Sequence, residues 1–106
     1  MKNKLEKYNC PVGITMNVIG GKYKVIIIWF LYQNKVLRYS ELQRMIKGVT
    51  PKMLISQLRE LEEDKIISRK VYPVVPPKVE YSLTEKGESL LPILSEMKKW
   101  GEKYND

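Results

Sequence analysis

The apolar positions change their period several times along the chain, and each change marks an element. Val12, Met16 and Ile19 lie near one face of a short helix, Pro11 to Ile19, which the pair Gly20-Gly21 ends. From Lys22 to Gln33 the chain is apolar almost all round, through Val25, Ile26, Ile27, Ile28, Trp29, Phe30 and Leu31. Period alone does not separate a buried helix from a strand there, but the length favours a helix at the centre of the core. Asn34-Lys35 predicts a turn, and Val36 to Tyr39 a short edge strand. Ser40 is placed to N-cap the next helix, with Gln43 at capping-box spacing and Leu42, Met45 and Ile46 on its apolar face. Gly48 suits a left-handed position just past that helix.

Thr50-Pro51 restarts a helix, the hydroxyl as N-cap and the proline in the first turn, where its missing N–H costs nothing. This helix reaches about Asp64, with Leu54, Leu58 and Leu61 on one inward stripe. Two arms rich in β-branched and aromatic residues follow, Ile67 to Tyr72 and Val79 to Leu83. Pro73, Pro76 and Pro77 between them stiffen the tip and keep it from pairing with another sheet edge. Thr84 caps a final helix with Glu85 in its first turn. Leu90, Leu94, Met97, Trp100 and Tyr104 form its apolar stripe, widened by Leu91 and Ile93, and Pro92 is expected to bend it.

Helix, tight turn, helix and β-hairpin in that order define a winged helix-turn-helix, a mainly α fold with a small antiparallel β wing. The expected domain is single, residues 1–106, with the helix-turn-helix at about 40–64, the wing at about 66–83 and a C-terminal dimerisation helix at about 84–104. Opposite the leucine stripe of the second helix lie Lys52, Ser56 and Arg59, with Gln57 flanking and Thr50 at the leading end. Arg and Lys suit guanine, and Gln suits adenine, in a major groove. Glu60, Glu62, Glu63 and Asp64 crowd the far end and would be repelled by phosphate, so the N-terminal half is the end expected to enter DNA. Arg38 is a candidate phosphate contact, with an internal ion pair as the ordinary alternative. Lys78 at the base of the wing and Arg69 or Lys70 on its first arm are placed to meet phosphates or a minor groove.

Charge supports this picture. Residues 1–59 hold 11 Lys or Arg against 2 acids, net +9, and residues 60–106 hold 8 against 10, net −2, which together make the formal +7. The basic half contains the expected reading helix, so double-stranded DNA is the favoured partner, although charge alone does not distinguish it from other polyanions. With no histidine and one cysteine, the sequence lacks the means for a Cys/His zinc site or a His-based catalytic pair, and no Gly-rich phosphate loop appears. Neither an enzyme nor a cofactor is expected. No leader segment is visible, and the longest strongly apolar run, Val25 to Tyr32, falls far short of the roughly 20 residues that span a bilayer. The expectation is a cytoplasmic protein with no membrane partner.

Several motifs in order resemble the HxlR family of bacterial winged-helix regulators over nearly the whole chain. They are Cys10-Pro11-Val12, Val18 to Lys24, Arg38 to Leu42, Gln57 to Glu62, Val71 to Thr84 and Trp100-Gly101. Tyr23 departs from the pattern, where the family often carries tryptophan. The resemblance implies a homodimeric DNA-binding transcriptional regulator, and some members sense electrophiles or oxidants through the cysteine of the Cys-Pro motif.

Cys10 at an N-cap, with Lys7 nearby in sequence, favours thiolate, and a bond to Cys10 of a second chain or an adduct would alter half-site spacing. The ordinary alternative is a small buried hydrophobe. The terminal helices carry more apolar surface than a small core can cover, which places Val12, Met16, Leu94, Met97, Trp100 and Tyr104 at an expected dimer interface. The second functional reading is a winged-helix protein interaction module, whose basic face meets an acidic partner without reading DNA sequence. A small-molecule effector held between the terminal helices and the core ranks last, since no convergent polar residues mark such a pocket.

Overall fold

The computed structural model describes residues 8–105. Lys7, and with it most of the basic N-terminal arm, lies outside them. Helix α1 runs Pro11–Ile19 and α2 Lys24–Asn34, followed by strand β1 at Val36–Arg38, α3 at Tyr39–Met45 and α4 at Pro51–Glu63. Strands β2, Ile67–Tyr72, and β3, Lys78–Leu83, form the wing hairpin, and α5, Glu85–Glu88, and α6, Leu91–Tyr104, complete the order. The fold is mostly helical, with one three-stranded antiparallel sheet in the order β1-β3-β2.

Helix α2 is the centre of the core because it has no polar face to turn outward. Ile27, Ile28 and Leu31 are at most 1% exposed, and Leu42, Leu54, Leu58, Leu61, Ile66 and Ile67 close around them. Leu37 of β1 and Tyr81 of β3, which are opposite each other in register, add the sheet face. No single helix among the described residues is long and apolar enough to cross a membrane, and the apolar pair α1 and α2 is bent by 73°.

Three local expectations are corrected. Helix α3 begins at Tyr39, one residue before the expected Ser40 cap, and its first turn is closed by the Glu41 carboxylate accepting the Arg38 N–H at 2.8 Å. Gln43 is therefore no capping residue. It donates through Nε2 to the Val49 carbonyl at 2.8 Å and fastens the turn between α3 and α4. Gly48 takes φ +84° within that turn, as its lack of a Cβ permits. Thirdly, Pro92 does not bend a continuous helix. The chain breaks after α5, and Pro92 lies in the first turn of α6, where no backbone bond is lost.

Helix α4 ends in a motif that aims it at the wing. Lys65 adopts φ 61°, and the N–H groups of Lys65 and Ile66 donate to the carbonyls of Glu62 and Leu61 at 3.0 and 2.9 Å. Thr84 then locks the far end of the hairpin to this corner, donating to the Lys65 and Ile66 carbonyls and accepting the Gly87 N–H at 3.0 Å.

Candidate nucleic-acid interface

Thr50 caps α4 as its residue type demands, its hydroxyl accepting the Met53 N–H at 3.1 Å, with Pro51 in the first turn. Leu54, Leu58 and Leu61 are at most 2% exposed and fix the rotation of the helix about its axis. Lys52, Ser56 and Arg59 consequently face solvent along the opposite stripe. Arg38, at the end of β1, is also exposed, and among the described residues it forms no ion pair.

Gln57 does not join this stripe. Its side-chain oxygen accepts the Tyr23 N–H at 3.2 Å, and it packs so closely on Gly21 that a Cβ there would collide with its carboxamide. Gln57 is thus a strut between α4 and the α1–α2 junction, and the sequence expectation of a base contact is corrected. Glu60, one turn further along the same flank, forms an ion pair with Lys24, whose side chain is 4% exposed. A lysine buried in an apolar helix is acceptable only with such a partner. One of the four carboxylates expected to repel phosphate is therefore neutralised and turned inward. Glu62 and Glu63 remain exposed at the C-terminal end of α4.

The wing carries its charge around one ring. Tyr72 has the Lys70 and Lys78 ammonium groups 4.9 and 4.5 Å from its centroid, and its hydroxyl donates to Glu80 at 2.8 Å. Lys78, expected from sequence to meet phosphate, also lies 3.6 Å from the Glu80 carboxylate, which shares its charge. Lys70 stands directly across the ladder from Glu80 and remains exposed. Arg69 points to the other face of the hairpin, beside its cross-strand partner Tyr81. There it lines a cleft of about 410 Å³ between α4 and the wing, with Tyr39, Ile55, Arg59, Glu62, Val79 and Tyr81. Sequence reasoning missed this cleft, because Ile55, Arg59 and Glu62 become neighbours of Arg69 only when the hairpin folds back on α4.

At the other end of the molecule, Cys10 occupies the N-cap of α1 as its place before Pro11 suggests. Its Sγ accepts the Gly13 N–H at 3.3 Å, and the residue is exposed in the single chain. Val12, Met16, Met97, Trp100 and Tyr104 are between 49% and 76% exposed, and the Trp100 and Tyr104 rings lie 4.9 Å apart. Leu94 departs from this set. At 2% exposure it belongs to the chain's own core and offers no surface to a partner.

A helix with exposed cations opposite its buried stripe, fastened to a preceding helix by a tight turn and flanked by a β-hairpin, defines a DNA-binding winged helix-turn-helix regulator. Comparison with known proteins agrees: the family model described as HxlR-like helix-turn-helix matches residues 18–106. The HTH-type transcriptional regulator YkvN of Bacillus subtilis is 53% identical over 100 residues, 94% of this chain and 84% of that protein. The structure of the redox regulator HypR in its oxidised form superimposes with a TM-score of 0.87 at 50% identity, covering 92% of this chain and 99% of the other. HypR in its reduced form gives 0.86 at 49% identity, with coverage of 92% and 95%. The chain belongs to the HxlR-like helix-turn-helix family of transcriptional regulators, which are not enzymes.

Proposed function

We propose that the protein acts in the cytoplasm as a homodimer that reads a palindromic operator through α4 and changes its DNA affinity when Cys10 is modified. The observation that carries the reading is the division of α4 into faces. Its inward flank is engaged by Gln57 and Glu60, and its outward face presents Lys52, Ser56 and Arg59, of which the two cations form no ion pair among the described residues. Lys52 and Arg59 serve base edges, Thr50 and Ser56 serve adjacent phosphates or bases, and Arg38 and Lys70 serve flanking phosphates. The whole chain, residues 1–106, works as one unit in this reading.

Dimerisation is supported by the exposed apolar residues of α1 and α6, which a polar solvent leaves unmatched. Two-fold pairing through these helices places two α4 helices about 34 Å apart, one turn of duplex. With a single cysteine in the sequence, any disulfide within the dimer joins Cys10 to its counterpart. Oxidation at α1 is coupled to α4 through the Gln57 strut and the Lys24–Glu60 pair, both of which hold the segment just after α1. The similarity to HypR, named a redox regulator, supports this response.

Selection of bound fragments from random duplex DNA at near-physiological salt tests the reading. It is expected to enrich an inverted repeat with half-sites one helical turn apart, while enrichment of no motif overturns it.

A further inference from the structure

The outward face of α4 is not polar throughout. Ile55 stands three residues after Lys52 and four before Arg59, so the three side chains are neighbours on the helix surface. It borders the cleft beside Val79 and Tyr81 of the wing, yet the hairpin does not cover it, and it remains 39% exposed. A β-branched side chain gains nothing from water and forms helix less readily than the lysine, leucine or arginine around it. Neither helix propensity nor the chain's own core accounts for an isoleucine between two cations. In a major groove such a side chain has one counterpart, because thymine presents its C5-methyl group there whereas the edges of a G·C pair carry only polar groups.

We propose that Ile55 is a specificity-determining residue that selects a thymine in each half-site by enclosing its C5-methyl group, an inference that rests on the proposed reading of DNA by α4. The thymine lies within the base pairs bracketed by Lys52 and Arg59. These two residues are seven positions apart, about 10 Å of helix, which matches the rise of about three base pairs. A methyl group inside that span meets Ile55 without competing for either cation. The preference comes from excluding water between the methyl and the exposed part of Ile55, and it needs no hydrogen bond. Uracil is therefore the matching probe, since it keeps the base pair and every polar group and lacks only the methyl.

Titration of the full-length chain with its selected operator, each thymine replaced in turn by deoxyuridine in both half-sites, tests the assignment. At one position the replacement is expected to weaken wild-type binding by about fourfold per half-site, the scale of one methyl group returned to water. Ile55→Ala, with its helical circular dichroism retained, is expected to bind the thymine and uracil operators equally. Ile55→Val, which keeps a branched side chain, is expected to discriminate between them less than the wild type and more than Ile55→Ala. A residue that only supports the wing would lower affinity for both operators together and leave their ratio intact. Half-sites without thymine, no position sensitive to deoxyuridine, or a sensitivity undiminished in both variants overturns the proposal, while the reading of DNA by α4 stands because an operator is still selected. Selection of no operator overturns that reading and the thymine contact with it.

Discussion

Lys24 of α2 and Glu60 of α4 form an ion pair in which the lysine is almost wholly enclosed, its side chain 4% exposed against 21% for the glutamate. The pair ties the central core helix to the reading helix on the flank that Gln57 also holds. Removing one partner leaves an uncompensated charge in a site built for two. Lys24→Met or Glu60→Leu alone is expected to destabilise the protein by about 3 kcal/mol, and the double change Lys24→Met with Glu60→Leu to recover most of that loss. Urea unfolding at fixed protein concentration measures the cycle, and additive losses would show that the two side chains act independently.

Gln57 separates a structural role from a reading role cleanly. Its carboxamide accepts the Tyr23 N–H, so Gln57→Ala is expected to cost about 1 kcal/mol of stability. The operator motif selected by that variant is expected to match the wild-type motif, with affinity lowered evenly across sequences. A changed base preference at one position would instead return Gln57 to the groove.

The exposed stripe of α6 and the outer face of α1 provide the dimer test. Trp100→Ser combined with Met97→Ser removes large apolar side chains that touch little within the chain, being 68% and 49% exposed. Sedimentation at micromolar concentration is expected to shift from dimer to monomer while the helical circular dichroism is retained. Leu94→Ser should behave differently, because Leu94 is a core residue. It is expected to lose about 2–5 kcal/mol of stability, and a monomer that is fully folded would contradict that placement.

Cys10→Ser keeps an acceptor at the N-cap of α1 and removes the thiol. DNA binding under reducing conditions is expected to be preserved. Treatment with diamide is expected to change the DNA affinity of the wild type and to yield a disulfide-linked dimer on non-reducing gels, and to do neither in the variant. A wild type whose DNA affinity ignores diamide would remove Cys10 from the account.

Much of this arrangement is legible in the sequence where the signal is local. Cys10-Pro11 and Gly20 bracket α1, Thr50-Pro51 starts α4, and the proline-rich tip separates two strands, because caps and prolines act within a turn of where they stand. The errors fall where distant residues decide. Ser40 offers a cap for α3 by residue type, but strand β1 runs through Arg38 and the Glu41 carboxylate takes the Arg38 N–H, so the helix starts one residue earlier. Gln57 lies at the margin of the leucine stripe, and nothing nearby announces a partner 34 residues away. Pro92 fits either a bent helix or a new first turn, and the second holds because α5 ends at Glu88. The cleft at Arg69 depends wholly on how the hairpin folds against α4. One signal stood in plain view, however: Lys24, a charge within the most apolar stretch of the chain, demanded a carboxylate partner, which Glu60 supplies.

Reading of base sequence by the exposed face of α4 is tested most directly by titration of a selected operator and a scrambled duplex with wild type, Lys52→Ala and Arg59→Ala. At near-physiological salt each substitution is expected to cost about 1–3 kcal/mol on the operator and clearly less on the scrambled duplex, so that the ratio of the two affinities collapses. An equal loss on both duplexes, or no loss on either, would contradict the claim and leave Lys52 and Arg59 as phosphate contacts or solvated charges.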